Sequence, residues 1–257
     1  MAVYTQVDDS ALADFLSGYD LGTLLSFAGI AEGVENSNFL LRTDRANYIL
    51  TLYEKRVNPS DLPFFIEVME VLASSGMSCP LPVPARDGSI LQQLAGRPGA
   101  VFSFLDGTWS RHPNREKCAA LGKALATLHL NAAPVTRRRV NALGPAGWQP
   151  LLDSIGDDAD ILRPNMAQTI RTRLDSILAE WPENLADGII HADLFPNNVH
   201  FIGDELTGII DFYFACNDIL AYDLGICLNS WCFEADGSFN LTKSRAMLNG
   251  YNAVRPI

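Results

Sequence analysis

The stretch His191–Phe212, HADLFPNNVHFIGDELTGIIDF, carries acidic residues at both ends of what reads as a short hairpin. Val199 to Ile202 and Leu206 to Ile210 are apolar runs of strand length, joined by the turn residues Gly203-Asp204-Glu205. Ahead of them, His191-Ala192-Asp193-Leu194-Phe195-Pro196-Asn197-Asn198 is a polar loop, in which Pro196 excludes a regular strand. Closing the hairpin brings Asp211 back beside Asn198, so Asp193, Asn198 and Asp211 are expected to converge in one pocket. Two of these oxygen donors suit a hard cation such as magnesium, which keeps waters or substrate phosphates in its remaining positions. The third can orient an attacking hydroxyl and accept its proton. That division of labour is what phosphoryl transfer needs, because its catalysis is mostly positioning and charge neutralisation.

The rest of the chain narrows the class. With 257 residues and 48% hydrophobic content, one or two packed units are expected. A net charge of −11 argues against nucleic-acid binding, which relies on clustered Lys and Arg. Arg137, Arg138 and Arg139 form the one basic run and read as a solvated loop. Five cysteines without a CxxC pair read as reduced, buried thiols rather than a zinc site. No apolar run is long enough to span a membrane, and MAVYTQVDDSALADF has acids where a signal peptide would be basic, so a cytoplasmic location is expected.

Periodicity divides the chain into two regions. Asp9 to Ser17 reads as a helix, and Leu24 to Leu52 as three antiparallel strands with turn residues at Gly29, Gly33, Asn36 and Asp44. Leu62 to Ala73 is helical, with Phe65, Val68, Met69 and Leu72 on one face and Pro63 in its first turn. Two further strands fit Ser89 to Leu94 and Gly99 to Leu105, the first entered by a turn at Asp87-Gly88. Helical spacing then recurs from an N-cap at Asn114, through Cys118, Leu121, Leu125 and Leu128, and again over Met166 to Trp181. The expected organisation is a sheet-bearing lobe over residues 1–105 and a mainly helical lobe over residues 106–257.

His191-x-Asp193 followed by Asn198, with Asp211-Phe212 after a hairpin, resembles the catalytic loop and metal-binding aspartate of the protein-kinase-like fold, in the form used by aminoglycoside and choline kinases. The resemblance implies an α+β, two-lobed fold: a small antiparallel sheet with one helix, and a larger helical lobe carrying the catalytic hairpin. It implies Asp193 as catalytic base, His191 as a loop-ordering residue, Asn198 and Asp211 as Mg2+ ligands, and ATP as the phosphoryl donor. Gly29 to Asn38 would cover the phosphates, with the loop's backbone N–H groups, Gly29 and Gly33 among them, and Ser37 as contacts. Leu121 to His129 is similar to the first large-lobe helix of that family, which makes His129 structural. Thr51 stands where a phosphate-contacting Lys or Arg is usual, and Lys55 is the candidate to supply that charge. The helix acid that would pair with such a lysine is left between Glu67 and Glu70.

Asp211 to Gly225, Cys227 to Glu234, Glu35-Asn36-Ser37-Asn38 and Leu50 to Lys55 together resemble the homoserine kinases built on this fold. That resemblance covers about Tyr4 to Ile257 and implies L-homoserine as acceptor, in a step of threonine synthesis. The substrate ammonium needs an anionic partner, for which Glu35, Asp218, Asp223 and Glu234 are candidates; Asp218 and Asp223 also read as braces of the Asp193 loop. Trp231 and Phe233 read either as pocket lining or as core. Asn249 to Ile257 resembles a segment that relatives follow with further helices. Two alternatives stay open: another acceptor (aminoglycoside, choline or amino alcohol), and a nucleotide-binding scaffold without transfer activity.

Overall fold

A computed structural model describes residues 5–31, 36–54 and 57–257. The period-two runs of the first region form one antiparallel sheet. Strands β1 (Leu24–Gly29), β2 (Ser37–Thr43) and β3 (Asn47–Leu52) make a meander. Next come β4 (Pro82–Val83), β5 (Gln92–Leu94) and β6 (Arg97–Ser103); β6 pairs with β3 and carries both β4 and β5. Among the described residues, six strands are therefore present where five are expected. The extra one, β4, has two residues and begins with proline, which suits an edge position and leaves no periodicity to read.

Helix α1 (Asp9–Ser17) starts where Asp8 accepts the Ala11 N–H, and it sets Leu12 against Phe39, Leu41, Leu50 and Val101 of the sheet. Helix α2 (Leu62–Ser74) buries Leu62, Phe65, Val68, Met69 and Leu72. These side chains belong to a second, larger core that runs on into the helical lobe. The protein is thus a two-lobed α+β fold whose lobes share buried apolar surface.

The large lobe holds α3 (Arg115–Asn131), α4 (Pro145–Ile155), α5 (Met166–Ala179), α6 (Leu220–Trp231) and α7 (Leu241–Asn252). Asn114 caps α3 by accepting the Lys117 N–H at 2.9 Å. Helices α3 and α7 meet backbone to backbone: a Cβ on Gly122 would lie 2.0 Å from the Met247 carbonyl oxygen, and one on Gly250 would lie 2.2 Å from that of Ala119. Two small ribbons complete the lobe, β7 (Asp187–Ile190) with β10 (Cys216–Ile219) and β8 (Val199–Ile202) with β9 (Glu205–Ile209). The β8–β9 hairpin is the one anticipated, whereas Cys216-Asn217-Asp218-Ile219 lacks the alternation that would mark a strand.

The connection between lobes is stitched to that hairpin. Thr108 and Phe201 exchange backbone hydrogen bonds of 3.0 and 2.9 Å, and the Thr207 hydroxyl donates to the Asp106 carbonyl at 2.7 Å. The five cysteines are free and buried. No helix among the described residues is long and apolar enough to cross a membrane.

Candidate active site

The polar loop and the hairpin are locked together around Ile210. Its N–H donates to the Asn198 carbonyl at 3.0 Å, and its carbonyl accepts from His191 Nε2, also at 3.0 Å. Asp211 follows immediately, in a left-handed conformation (φ 65°, ψ 61°) that a non-glycine residue adopts only where its surroundings hold it. Asn198 is buried and donates from Nδ2 to the Asp193 carbonyl at 2.7 Å and to Asp193 Oδ2 at 2.9 Å. The first acid is thereby bound to Asn198, and the second lies one residue beyond that residue's ladder partner.

His191 and Asp223 set the shape of the loop. His191 is fully buried: its Nε2–H is given to Ile210, its Nδ1 accepts the Asp193 N–H at 3.3 Å, and its ring packs on Phe212 with centroids 4.8 Å apart. Burial pushes its pKa below the ordinary histidine value; the Asp223 charge and the Ile210 carbonyl oppose this without cancelling it, so the ring is neutral. Asp223, also fully buried, accepts the N–H groups of His191 (2.8 Å) and Ala192 (3.0 Å) and His129 Nε2–H (3.0 Å). Burial raises the Asp223 carboxyl, but the hydrogen bonds from His129 and from the loop backbone outweigh it, leaving the pKa lowered. Tyr251 in turn bonds His129 Nδ1 at 2.8 Å, so α3, α6 and α7 all brace the loop.

Between the lobes lies a cavity of about 550 Å³. Ile49, Phe102 and Ile210 give it apolar walls, while Asn36, Asn38, Thr51, Asn198 and Asp211 supply oxygen and amide groups. Asp193 does not line it and joins it through Asn198. No Lys or Arg is found among the described lining residues. The donor set fits magnesium: one carboxylate, Asp211, and one amide, Asn198, border the same cavity and leave most coordination positions to water or phosphate. Among the described residues no three His, Cys, Asp or Glu side chains gather into a metal cluster of their own.

Several candidates from the sequence fall elsewhere. Gly29 is the exposed last residue of β1, and Gly33, Glu35 and Lys55 lie outside the described residues. Ser37 does not line the cavity: it is fully buried and donates to Glu54 Oε1 at 2.7 Å, so it is a strut rather than a phosphate contact. Glu54, which sequence reasoning missed, also accepts from the Thr5 hydroxyl at 2.6 Å and pairs with Arg97 at 3.3 Å. The Thr51 hydroxyl donates to Asn38 Oδ1 at 2.8 Å, placing an amide where a cation was sought. Glu67 turns to the large lobe and accepts from the Thr136 N–H and hydroxyl and the Arg137 N–H, so it ties α2 to that lobe.

Of the acids considered for an ammonium, Asp223 is consumed by the loop and Glu234 is paired with Lys243 at 2.8 Å. Asp218 is part-exposed, accepts from Asn141 Nδ2 at 2.7 Å, and is bordered by Tyr222 of the Trp148–Trp181–Tyr222 ring cluster. Trp231 is core, its Nε1–H given to the Leu194 carbonyl at 2.8 Å, and Phe233 packs on Phe239; neither lines the cavity.

Comparison with known proteins agrees with this geometry. Residues 26–257 match the model of the phosphotransferase enzyme family, APH. The homoserine kinase of Xanthobacter autotrophicus is 58% identical over 257 residues, all of this chain and 80% of that protein. That of Rhizobium rhizogenes is 57% identical with the same coverage. Among solved structures, the amicoumacin kinase hAmiN in complex with AMP-PNP, Ca2+ and Ami superposes with a TM-score of 0.75 at 17% identity, over 96% of this chain and 78% of that one. The microcompartment-associated aminopropanol kinase gives 0.72 at 20% identity, over 97% and 82%. At such identities these structures speak to the fold alone.

Proposed function

The chain belongs to the phosphotransferase enzyme family and, within it, to the homoserine kinases, and from that premise we infer that it transfers the γ-phosphoryl group of ATP to the side-chain hydroxyl of L-homoserine. The observation that carries this reading is the Asn198 side chain, which bonds the Asp193 carboxylate on one side and borders the cavity with Asp211 on the other.

In this reading ATP occupies the interlobe cavity, its base between the apolar walls at Ile49, Phe102 and Ile210. Asn198 and Asp211 hold magnesium, which when bound neutralises charge on the phosphates. Asp193 orients the acceptor hydroxyl and takes its proton; the Asn198 amide bond to Oδ2 keeps that carboxylate from swinging away, while the bond to the Asp193 carbonyl fixes the backbone beneath it. Neutral His191 keeps the loop in shape without adding a positive charge beside the base. Asp218 is the acid this reading retains for the substrate ammonium, since it alone of the described candidates is neither fully buried nor ion-paired.

The test is a panel of acceptors (homoserine, choline, an amino alcohol and an aminoglycoside) with ATP and magnesium, the product ester located by phosphorus NMR. Homoserine should be turned over about 10²-fold better than the others, carrying phosphate on its side-chain oxygen. Equal turnover of homoserine and choline would overturn the acceptor assignment.

A further inference from the structure

Of the three consecutive arginines, Arg139 is not a solvated side chain. Its backbone is fixed along β10, with its N–H on Asn217 Oδ1 at 2.9 Å and its carbonyl accepting the Asn217 N–H at 2.7 Å. The guanidinium enters the seam between the lobes. Nε donates to Asp61 Oδ2 at 2.8 Å, Nη1 donates to the carbonyls of Ala215 at 3.0 Å and Phe214 at 3.4 Å, and the group lies 5.1 Å above the Phe65 ring.

We propose that Arg139 is a positioning residue for Asp211, a clamp that ties the small-lobe helix α2 to the turn directly after that carboxylate. The proposal rests on the reading of Asp211 as the acid that holds magnesium.

Three features converge on it. The first is the turn itself: Phe212–Phe214 is a single 3-10 turn, and Asp211 at its head is left-handed. So short an element leaves its last carbonyls without internal partners, and Arg139 supplies a charged donor to them. A cation at the C-terminal end of the turn stabilises it and, through it, the backbone that aims Asp211.

The second is the choice Asp61 makes. It stands at the N-cap of α2, where an aspartate ordinarily accepts a backbone N–H, yet its side chain makes no capping bond and is given to Arg139 instead. The third is the apolar continuation. Phe65, under the guanidinium, meets Tyr213 edge-on at 5.7 Å, and Tyr213 lines the cavity beside Asp211. Glu67, two residues further along α2, grips Thr136 and Arg137 at the same time, so α2 is held at two points by one short segment of the large lobe. Rotating α2 away from the large lobe would pull on the turn that carries Asp211.

The experiment compares Arg139→Gln, Arg139→Lys and Asp61→Asn with the wild type, reading the Mg2+ concentration for half-maximal turnover, kcat, the KM for homoserine, and the melting temperature. Arg139→Gln should raise the Mg2+ requirement and lower kcat, each by about tenfold, with the homoserine KM unchanged. Lysine can pair with Asp61 but cannot also serve two carbonyls, so Arg139→Lys should fall between the two. Asp61→Asn should move both quantities in the same direction by less, and it carries the test if Arg139→Gln does not fold. A Mg2+ requirement at the wild-type value in whichever variant folds, with kcat lowered only in proportion to the folded fraction, would make Arg139 merely structural and overturn the proposal. Asp211→Asn is run beside them: if it too leaves the Mg2+ requirement untouched, the underlying reading of Asp211 has failed, whatever Arg139 does.

Discussion

The side-chain amide of Asn198 spends both its hydrogens on Asp193, one 2.7 Å from the backbone carbonyl and one 2.9 Å from Oδ2. Its oxygen, which accepts from Asn197 Nδ2 at 3.2 Å, is the atom that remains for the cavity, so a single residue registers the proposed base against the proposed metal donors. Replacing it by aspartate would set two carboxylates face to face. Like charges at that distance favour protonation, so Asn198→Asp should raise the Asp193 pKa and lower turnover at neutral pH by about 10- to 100-fold. The check is the pH dependence of kcat, whose acidic limb should move upward; an unmoved limb would detach Asn198 from the base.

Asp223 is the keystone of the loop rather than a surface acid. It is fully buried and accepts three hydrogen bonds from His191, Ala192 and His129. Asp223→Asn turns amide hydrogens toward donors and removes the charge they were arranged for, at a cost of about 3 kcal/mol or more by chemical denaturation. Asp218→Asn, at a part-exposed position, should change stability by less than about 1 kcal/mol.

The pH dependence of stability follows from two depressed values. His191 is neutral when folded, with its pKa lowered from 6.5, so the unfolded chain takes up the proton first. Its contribution is present above 6.5 and is lost as pH falls from there through the folded value. Asp223 is likewise lowered from 3.8, so its contribution is present above 3.8 and disappears only below it. Urea midpoints should begin to decline as pH falls below 6.5 and should keep declining below 3.8, and His191→Gln should remove the upper onset.

Helices α3 and α7 can touch only because Gly122 and Gly250 lack side chains. In Gly122→Ala the new methyl meets the Met247 carbonyl, a backbone atom that cannot rotate aside. Its cost should be about 2 to 3 kcal/mol. Because Tyr251 on α7 bonds His129, displacement of α7 should also lower activity, read as a fall in kcat together with melting temperature.

How much of this could be read from the residues depended on range. The β8–β9 hairpin was legible because its apolar runs and turn lie within fourteen positions, Val199 to Phe212, and the turn needed only Gly203 at positive φ. The cap at Asn114 was similarly local. Illegible features were those whose partner is remote. Ser37 meets Glu54 seventeen residues away, and the Arg139 side chain meets Asp61 and Ala215 at separations of 78 and 76, so three identical neighbours in the sequence acquire different fates. Strand β10 carries no alternation to mark it, and its partner β7 is remote in the sequence. The phosphate-contacting cation stayed out of reach for another reason: Thr51 is committed to Asn38, and Lys55 lies outside the described residues.

The sharpest single measurement is turnover of homoserine by Asp193→Asn under saturating ATP and magnesium, with nucleotide affinity taken from the same preparation. A carboxylate that receives the hydroxyl proton cannot be replaced by an amide, so phosphohomoserine formation should fall by about 10²-fold or more while ATP binds as before. Turnover at the wild-type rate would contradict the assignment of Asp193 and, with it, the chemistry built on this loop and hairpin.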